Sequence, residues 1–180
     1  LKSLYERKHD LDLSIVKDLI QTETKDGKLN DIAKRILKAS KFQRSTILMM
    51  GAHVIRSGVQ RYIIDLMERG HISCIAMNGA GVIHDYEFAL IGATTENVSK
   101  YIKEGQFGLW KETGYINEII NQGYLDGLGL GVSVGKAIHE GDYPNKGISL
   151  LAAGYRLNIP VTVHVGVGLD IIHTQPNCDG

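Results

Sequence analysis

Glycine clusters that directly follow short apolar runs are the feature that most constrains how this chain can fold. The sequence has 21 glycines in 180 residues. They are concentrated at 51–58, 79–81, 105–108, 123–135 and 166–168. Apolar runs at 46–50 and 72–77 lead into the first two clusters. A short continuous apolar run is typical of a strand buried on both faces, and a following glycine is typical of a tight turn into a helix.

Helical spacing follows these strand-like runs. Residues 59–69 carry apolar side chains at helical intervals, and 83–90 begin a second helix. A third strand is predicted at 158–165, preceded by a helix at 148–157. Because strands that alternate with helices pair in parallel, we expect an α/β fold with a doubly wound, mostly parallel sheet.

The expected domain organisation is an N-terminal helical segment at 1–44, packed on an α/β domain at 45–180. Within the first segment, an amphipathic helix is predicted in 1–30 and a second helix in 31–40. A parallel sheet that ends in a strand and a glycine loop normally continues into a covering helix. The expected domain is therefore incomplete at its C-terminus.

Three other segments carry local signals. Thr94 or Thr95 is predicted to be the N-cap of a helix, because an acidic residue follows in its first turn. Residues 112–122 have helical spacing. The five glycines of 123–135 fit either a mobile loop or a helix packed closely on its neighbour, and the sequence leaves both readings open.

Composition excludes some classes of partner. Lys plus Arg and Asp plus Glu both number 20, so the net charge of zero gives no basic surface for nucleic acid or an anionic bilayer. No apolar run approaches the roughly 20 residues that cross a membrane. The two cysteines form no pair with metal or disulfide spacing. We therefore expect a cytoplasmic protein that binds neither nucleic acid nor membranes.

Candidate ligand-binding residues lie in three segments of similar layout, 50–58, 77–85 and 164–173. In each, an apolar strand runs into small residues, with a histidine in or near the turn. In a parallel sheet all three emerge at the carboxyl edge, where open α/β folds bind ligands. Glycines allow backbone N–H groups to approach a phosphate, so this edge predicts a site for a nucleotide, and a dinucleotide fits it.

The cofactor-binding candidates from this argument are glycines and polar residues at the strand ends. They are Gly51, Asn78, Gly79, Gly81, Gly166, Gly168, Asp85 and Asp170. The two aspartates and Glu87 are candidates for ribose hydroxyls, although a carboxylate near a helix start is also a common helix cap.

Histidines at the strand ends support a second hypothesis. His84, His164 and His173 are candidate catalytic residues, because a histidine can transfer a proton near neutral pH. Together with His53 and the two aspartates they are also candidate zinc ligands of a metal-dependent hydrolase. Spacings such as HxH or HExxH are absent, so no metal ligand is assigned.

The glycine turns resemble those of a known family. Residues 52–58 and 78–85 are similar to the two successive glycine turns of the deoxyhypusine synthase family, and 158–161 and 168–172 to a later strand and ligand loop. The resemblance covers roughly 45–180 and is strongest to bacterial deoxyhypusine synthase-like proteins. One departure is that Ile83 and His84 replace an acidic pair of the family.

The resemblance implies a Rossmann-like NAD-binding domain that assembles as a homotetramer or dimer. It also implies NAD-dependent amine oxidation with transfer of an alkyl group, and a small polar or amine substrate. By position, the residues near the cofactor are Ala52, His53, Ser57, Gly58, Gly79, Ala80, Gly81 and Asp85. The alternatives are the metal-dependent hydrolase and a non-catalytic, oligomeric nucleotide-binding module.

Overall fold

The computed structural model describes residues 1–179, which form eight α-helices and five strands. The helices are α1 (Gly27–Lys41), α2 (Ala52–Arg56), α3 (Gln60–Glu68), α4 (Gly79–Ile91), α5 (Val98–Lys103), α6 (Lys111–Leu125), α7 (Leu130–Glu140) and α8 (Leu150–Leu157). The strands are β1 (His9–Asp12), β2 (Ile47–Met50), β3 (Cys74–Asn78), β4 (Ala93–Glu96) and β5 (Val161–His164).

The three strands predicted from the apolar runs form one parallel sheet, in the order β2-β3-β5. Met50 lies opposite Met77, and Asn78 lies opposite His164, so the carboxyl ends of all three strands meet at one edge. The predicted α/β class and parallel pairing are confirmed. The observed sheet is smaller than the expected one, with three parallel strands in the described residues.

Residues 1–179 bury one face of this sheet and leave much of the other face exposed. The side chains of Ile75, Met77 and Val161 are buried beneath the helices. On the other face, Ile47 is 58% exposed and Met49 is 80% exposed. The prediction that β2 is buried on both faces is therefore wrong, because an apolar run does not reveal whether one layer or two cover a strand.

Helix α4 is the centre of the core. It is buried along most of its length and packs against α2, α6, α7 and β4. Gly92 ends the helix with a left-handed backbone, φ +69°. A helix that is buried on nearly all sides is stable only when other elements surround it, so α4 joins the parallel sheet to the helical layer.

The first thirty residues differ from the predicted amphipathic helix. Strand β1 instead pairs antiparallel with β4, and residues 16–26 have no regular structure. Leu4 anchors this segment in a small cluster with Tyr101 and Trp110. Tertiary contacts therefore outweighed a weak local pattern. The second predicted helix lies within α1, whose apolar residues Leu29 and Ile32 are exposed.

Two other local predictions are settled by the structure. Thr94 and Thr95 lie in β4 and are not N-caps, since Asn97 caps α5 by accepting a hydrogen bond from Lys100 N at 3.0 Å. The glycine-rich stretch contains α7, which packs closely on its neighbours. A β-carbon on Gly131 would overlap the carbonyl oxygen of Val161, so the small residue permits this approach.

No helix in residues 1–179 combines the length and apolar character that spanning a membrane requires.

Candidate functional site

The carboxyl edge of the parallel sheet brings the three predicted segments together. Asn78 and His164 are neighbours across β3 and β5. Helix α2, which carries His53, begins after Gly51 and packs against α4. Gly79 opens α4 directly after β3. The predicted convergence of the strand ends is therefore present, while the ligand roles of these residues stay predictions.

A cavity of about 230 Å³ lies beside this edge, between α4, β4 and the loop after β5. Its polar lining residues are Arg7, Arg56, His84, Glu87, Thr95, Glu96 and Asp170. Its other lining residues include Ala80, Ile83, Phe107, Leu169 and Ile171. Apolar walls with a few convergent polar groups are typical of a small-molecule site.

Three buried polar atoms around this cavity have no hydrogen-bond partner in the described residues. They are Arg56 Nε, Thr95 Oγ1 and Asp170 Oδ2. Buried polar groups are nearly always hydrogen-bonded, because leaving one unpaired costs about 1–3 kcal/mol. A cationic donor, a hydroxyl and a carboxylate oxygen without partners are therefore grouped on residues that line one cavity.

Backbone strain occurs at the same cavity. Thr95 has φ +67°, a left-handed conformation that is uncommon for a β-branched residue. Such a conformation costs of order 1–3 kcal/mol and is found most often at functional sites. Thr95 therefore combines a strained backbone with a side-chain hydroxyl that has no hydrogen-bond partner in the described residues.

A buried ion pair forms one wall of the cavity. Arg7 donates two hydrogen bonds to Glu87, at 2.9 Å to Oε1 and 2.6 Å to Oε2, and both side chains are 1% exposed. Thr94 and Thr113 each donate a further hydrogen bond to this carboxylate. Burial alone raises the pKa of Glu87, but the Arg7 charge and these hydrogen bonds outweigh it and hold the pKa below its usual value.

His84 is joined to the same network. Its Nδ1 lies 2.7 Å from the hydroxyl oxygen of Thr94. Burial lowers the pKa of His84 to about 4, and the attraction of Glu87 only partly opposes this. The imidazole is therefore neutral at physiological pH.

Asp170 reaches the first turn of α4. Its carboxylate fills the space that a β-carbon of Gly79 would occupy. Burial raises the pKa of Asp170, and the nearby His173 opposes this rise. Gly168 N donates to His173 Nδ1 at 3.1 Å, which fixes the loop that carries Asp170.

Several predicted site residues lie elsewhere. Asp85 is buried in the core, where it accepts hydrogen bonds from Ser149 Oγ at 2.6 Å and from Leu150 N at 2.8 Å, so it caps α8. Ser57 and Gly58 lie at the far end of α2. Gly58 packs there against Ile15, because a β-carbon on Gly58 would overlap the Ile15 carbonyl. Each of these residues lies close to a strand end along the chain, but that position does not show which way its helix faces.

His164 lies at the edge but does not line the cavity. It is exposed and its Nε2 lies 3.0 Å from Thr162 Oγ1, on the open face of the sheet. His84, His164 and His173 thus have three different sets of neighbours. Among residues 1–179 there is no group of three or more histidine, cysteine, aspartate or glutamate side chains placed to hold a metal ion.

Sequence reasoning missed several cavity residues. Arg56 lies inside a predicted segment, and its charge beside a glycine turn was the available signal. Arg7, Thr95 and Glu96 had no such signal, because the antiparallel pairing of β1 with β4 brings them to the cavity.

A solved structure with a similar fold is that of a "conserved putative LOR/SDH protein" from Methanococcus maripaludis S2. Its TM-score is 0.52 and the sequence identity is 20%. The match covers 91% of this chain and 48% of that protein, so this chain spans about half of its length. No protein-family model matches this sequence, and no curated protein matches it.

This finding corrects the assignment made from the glycine turns. The structural match is to a LOR/SDH protein, so the resemblance to the deoxyhypusine synthase family and the amine-oxidising, alkyl-transferring function inferred from it are wrong. Short glycine turns recur wherever a strand runs into a helix, and such motifs alone do not distinguish families. At 20% identity, the likeness to the Methanococcus protein concerns the fold.

Proposed function

We propose that this protein binds a dinucleotide of the NAD class along the carboxyl edge of its parallel sheet, with the nicotinamide end in the cavity beside Asp170. A small polar substrate would meet the cofactor there. NAD supplies a hydride acceptor or donor, so the proposed class of reaction is oxidation or reduction of that substrate.

The observation that carries this proposal is the set of three buried, unpartnered polar atoms. Arg56 Nε donates, Asp170 Oδ2 accepts, and the Thr95 hydroxyl can do either. A ligand with both donors and acceptors would satisfy all three. The nicotinamide carboxamide offers both kinds of group, N–H donors and a carbonyl acceptor.

The edge next to the cavity suits the phosphates of such a cofactor. Asn78 Oδ1 accepts from Gly81 N at 3.1 Å, and the earliest N–H groups of α4 have no acceptor within the helix. The helix N-terminus therefore favours an anion, and the Asp170 carboxylate already lies against its first residue, Gly79, so the phosphates would lie beside this carboxylate. The absence of a side chain at Gly51 and at Gly168 leaves room for close approach, since an added β-carbon at either meets no atom within 4 Å.

The similarity in fold to the Methanococcus protein supports the α/β fold on which this proposed site is built. A fuller Rossmann-like, doubly wound arrangement belongs to the proposal, since the described sheet has three parallel strands. Self-association as a dimer or tetramer is also proposed. The exposed Ile47 and Met49 face of the sheet is the surface that a second copy would cover.

Isothermal titration calorimetry with NAD⁺ and with ADP-ribose tests the proposal. ADP-ribose lacks the nicotinamide ring, so its affinity measures the contacts at the edge of the sheet without those of the ring in the cavity. We expect both to bind the unaltered protein, and Asp170→Asn to weaken NAD⁺ about tenfold, as expected for one lost hydrogen bond, while sparing ADP-ribose. Absence of heat from either compound at millimolar concentration would overturn the proposal.

A further inference from the structure

We propose that His84 is a fixed hydrogen-bond acceptor for the ligand in the cavity, held by Thr94 and Glu87 in the tautomer that carries its proton on Nδ1. This inference rests on the proposed function, because it concerns the ligand proposed for the cavity. That ligand should place an N–H or O–H group opposite His84.

The order of donors in the network fixes the tautomer. A threonine hydroxyl has one proton to donate. Thr94 Oγ1 lies 2.6 Å from Glu87 Oε2, and an ionised carboxylate can only accept, so the hydroxyl proton is directed to Glu87. At 2.7 Å, His84 Nδ1 must then donate to the same hydroxyl oxygen.

Glu87 remains ionised because its charge is balanced. Arg7 holds both of its oxygens, and Thr113 adds a hydrogen bond of 2.9 Å to Oε1. The carboxylate therefore cannot supply a proton back to Thr94. The buried ion pair of Arg7 and Glu87 therefore sets the direction of both hydrogen bonds: His84 donates to Thr94, and Thr94 donates to Glu87.

The consequence is an unprotonated Nε2 on His84. This side chain lines the cavity, and Nε2 has no hydrogen-bond partner in the described residues. A lone pair in that position accepts a hydrogen from a bound ligand, and a neutral ring rejects a ligand that offers only acceptors.

Charges around the ring keep it neutral. Arg56 and His53 on α2 and Arg7 from the N-terminal segment disfavour a proton on His84, while Glu87 on α4 favours one. Asp170 reaches the same cavity from the loop after β5. Burial has the largest effect and also disfavours the charged ring. The acceptor role of Nε2 is thus preserved across the physiological pH range.

The test is a two-bond ¹H–¹⁵N correlation spectrum of the full chain with ¹⁵N-labelled histidines, which distinguishes the two tautomers and the charged ring. The signal that disappears in His84→Gln assigns the residue. We expect the Nδ1–H pattern without titration between pH 5.5 and 8 in the unliganded protein. An Nε2–H pattern, or a titration midpoint near the ordinary histidine value of about 6.5, would overturn the proposal.

Two matched variants test the role of Thr94. Thr94→Val and Thr113→Val each remove one hydroxyl that donates to Glu87, but only Thr94 contacts His84. We expect Thr94→Val to give a mixture of tautomers and Thr113→Val to keep the Nδ1–H pattern. If the two variants gave the same tautomer pattern, the proposed order of hydrogen bonds from His84 to Thr94 to Glu87 would be contradicted. The spectrum of the unaltered protein decides the tautomer even if a variant does not fold.

The ligand contact is tested with NAD⁺ as the probe. His84→Phe keeps an aromatic ring but removes the acceptor, so NAD⁺ binding should weaken about tenfold while ADP-ribose binding is unchanged. Unchanged NAD⁺ affinity in this variant would refute the contact. If NAD⁺ did not bind the unaltered protein, the proposed function would fail instead, and the tautomer result would be independent of that failure.

Discussion

The carboxylate of Asp170 occupies the space in which a β-carbon of Gly79 would lie. This contact joins the loop after β5 to the first turn of α4. The oxygen nearest Gly79 is Oδ2, which is buried and has no hydrogen-bond partner in residues 1–179, and Asp170 also lines the cavity. Glycine is therefore needed at 79 for close approach by a side chain from another segment, beyond any need for a turn.

Gly79→Ala should displace Asp170 and weaken NAD⁺ binding about tenfold, because the methyl group takes the place of the carboxylate. Gly27→Ala is a matched control. Gly27 also opens a helix after a capping side chain, and an added β-carbon there meets no atom within 4 Å. Calorimetry on the two variants compares them directly, and equal NAD⁺ affinities would contradict the proposed role of the contact.

Thr95→Gly should raise stability and lower affinity together. Glycine relieves the φ +67° strain, which is of order 1–3 kcal/mol, although part of that gain is lost to the greater freedom of glycine in the unfolded chain. The same change removes the unpartnered hydroxyl from the cavity. A higher midpoint of urea unfolding with weaker NAD⁺ binding is expected. Thr95→Ser, which keeps the hydroxyl, should retain binding, and a loss of binding in both variants would contradict this account.

Glu87→Gln should destabilise the fold by about 3–5 kcal/mol, because it leaves the charge of Arg7 buried without a counter-charge. The exposed pair of Glu68 and Arg156 provides the control. Glu68→Gln should cost no more than about 1 kcal/mol. Chemical denaturation measures both free energies of unfolding, and similar values would show that the buried pair contributes little.

The free energy of unfolding should depend on pH in a way that reflects the titration of His84. Its pKa is about 4 in the folded protein and 6.5 in the unfolded chain, so between these values the unfolded chain takes up a proton that the folded state refuses. The contribution of His84 to stability is therefore complete above about pH 6.5 and is lost as the pH falls toward 4.

His84→Phe serves as the reference for this effect, since phenylalanine does not titrate. Relative to that variant, the unaltered protein should lose roughly 3 kcal/mol of unfolding free energy between pH 7 and pH 4. Urea unfolding at several pH values gives this difference, and parallel pH profiles would argue against a depressed His84 pKa.

Met49→Glu should reduce self-association, because it places a charge on the open face of the sheet. Tyr124→Glu is the control, since Tyr124 is similarly exposed but lies on α6. Sedimentation velocity should show a smaller species only for Met49→Glu. A monomeric unaltered protein would remove the basis for the proposed oligomer.

Much of the parallel sheet could be predicted from the sequence, because buried strands and glycine turns leave a local signal. Strands β2, β3 and β5 lie where the apolar runs placed them, and their ends converge as expected. The helices after β2 and β3 were likewise visible in the spacing of apolar residues.

The cavity was only partly predictable, because half of it comes from long-range pairing. Thr95 and Glu96 reach it through β4, whose pairing with β1 depends on contacts such as Arg7 with Glu87 and Leu4 with Trp110. Asp85 and Asp170 looked equivalent in sequence. One faces the core and the other the cavity, and helix orientation is decided by packing that no short motif contains.

A crystal structure of the protein soaked with NAD⁺ tests the central claim most directly. We expect the nicotinamide end in the cavity, with polar atoms within hydrogen-bond distance of the three unpartnered atoms, Asp170 Oδ2, Arg56 Nε and Thr95 Oγ1, and of His84 Nε2. Dinucleotide bound at a different surface, with the three unpartnered atoms satisfied by water alone, would contradict the account.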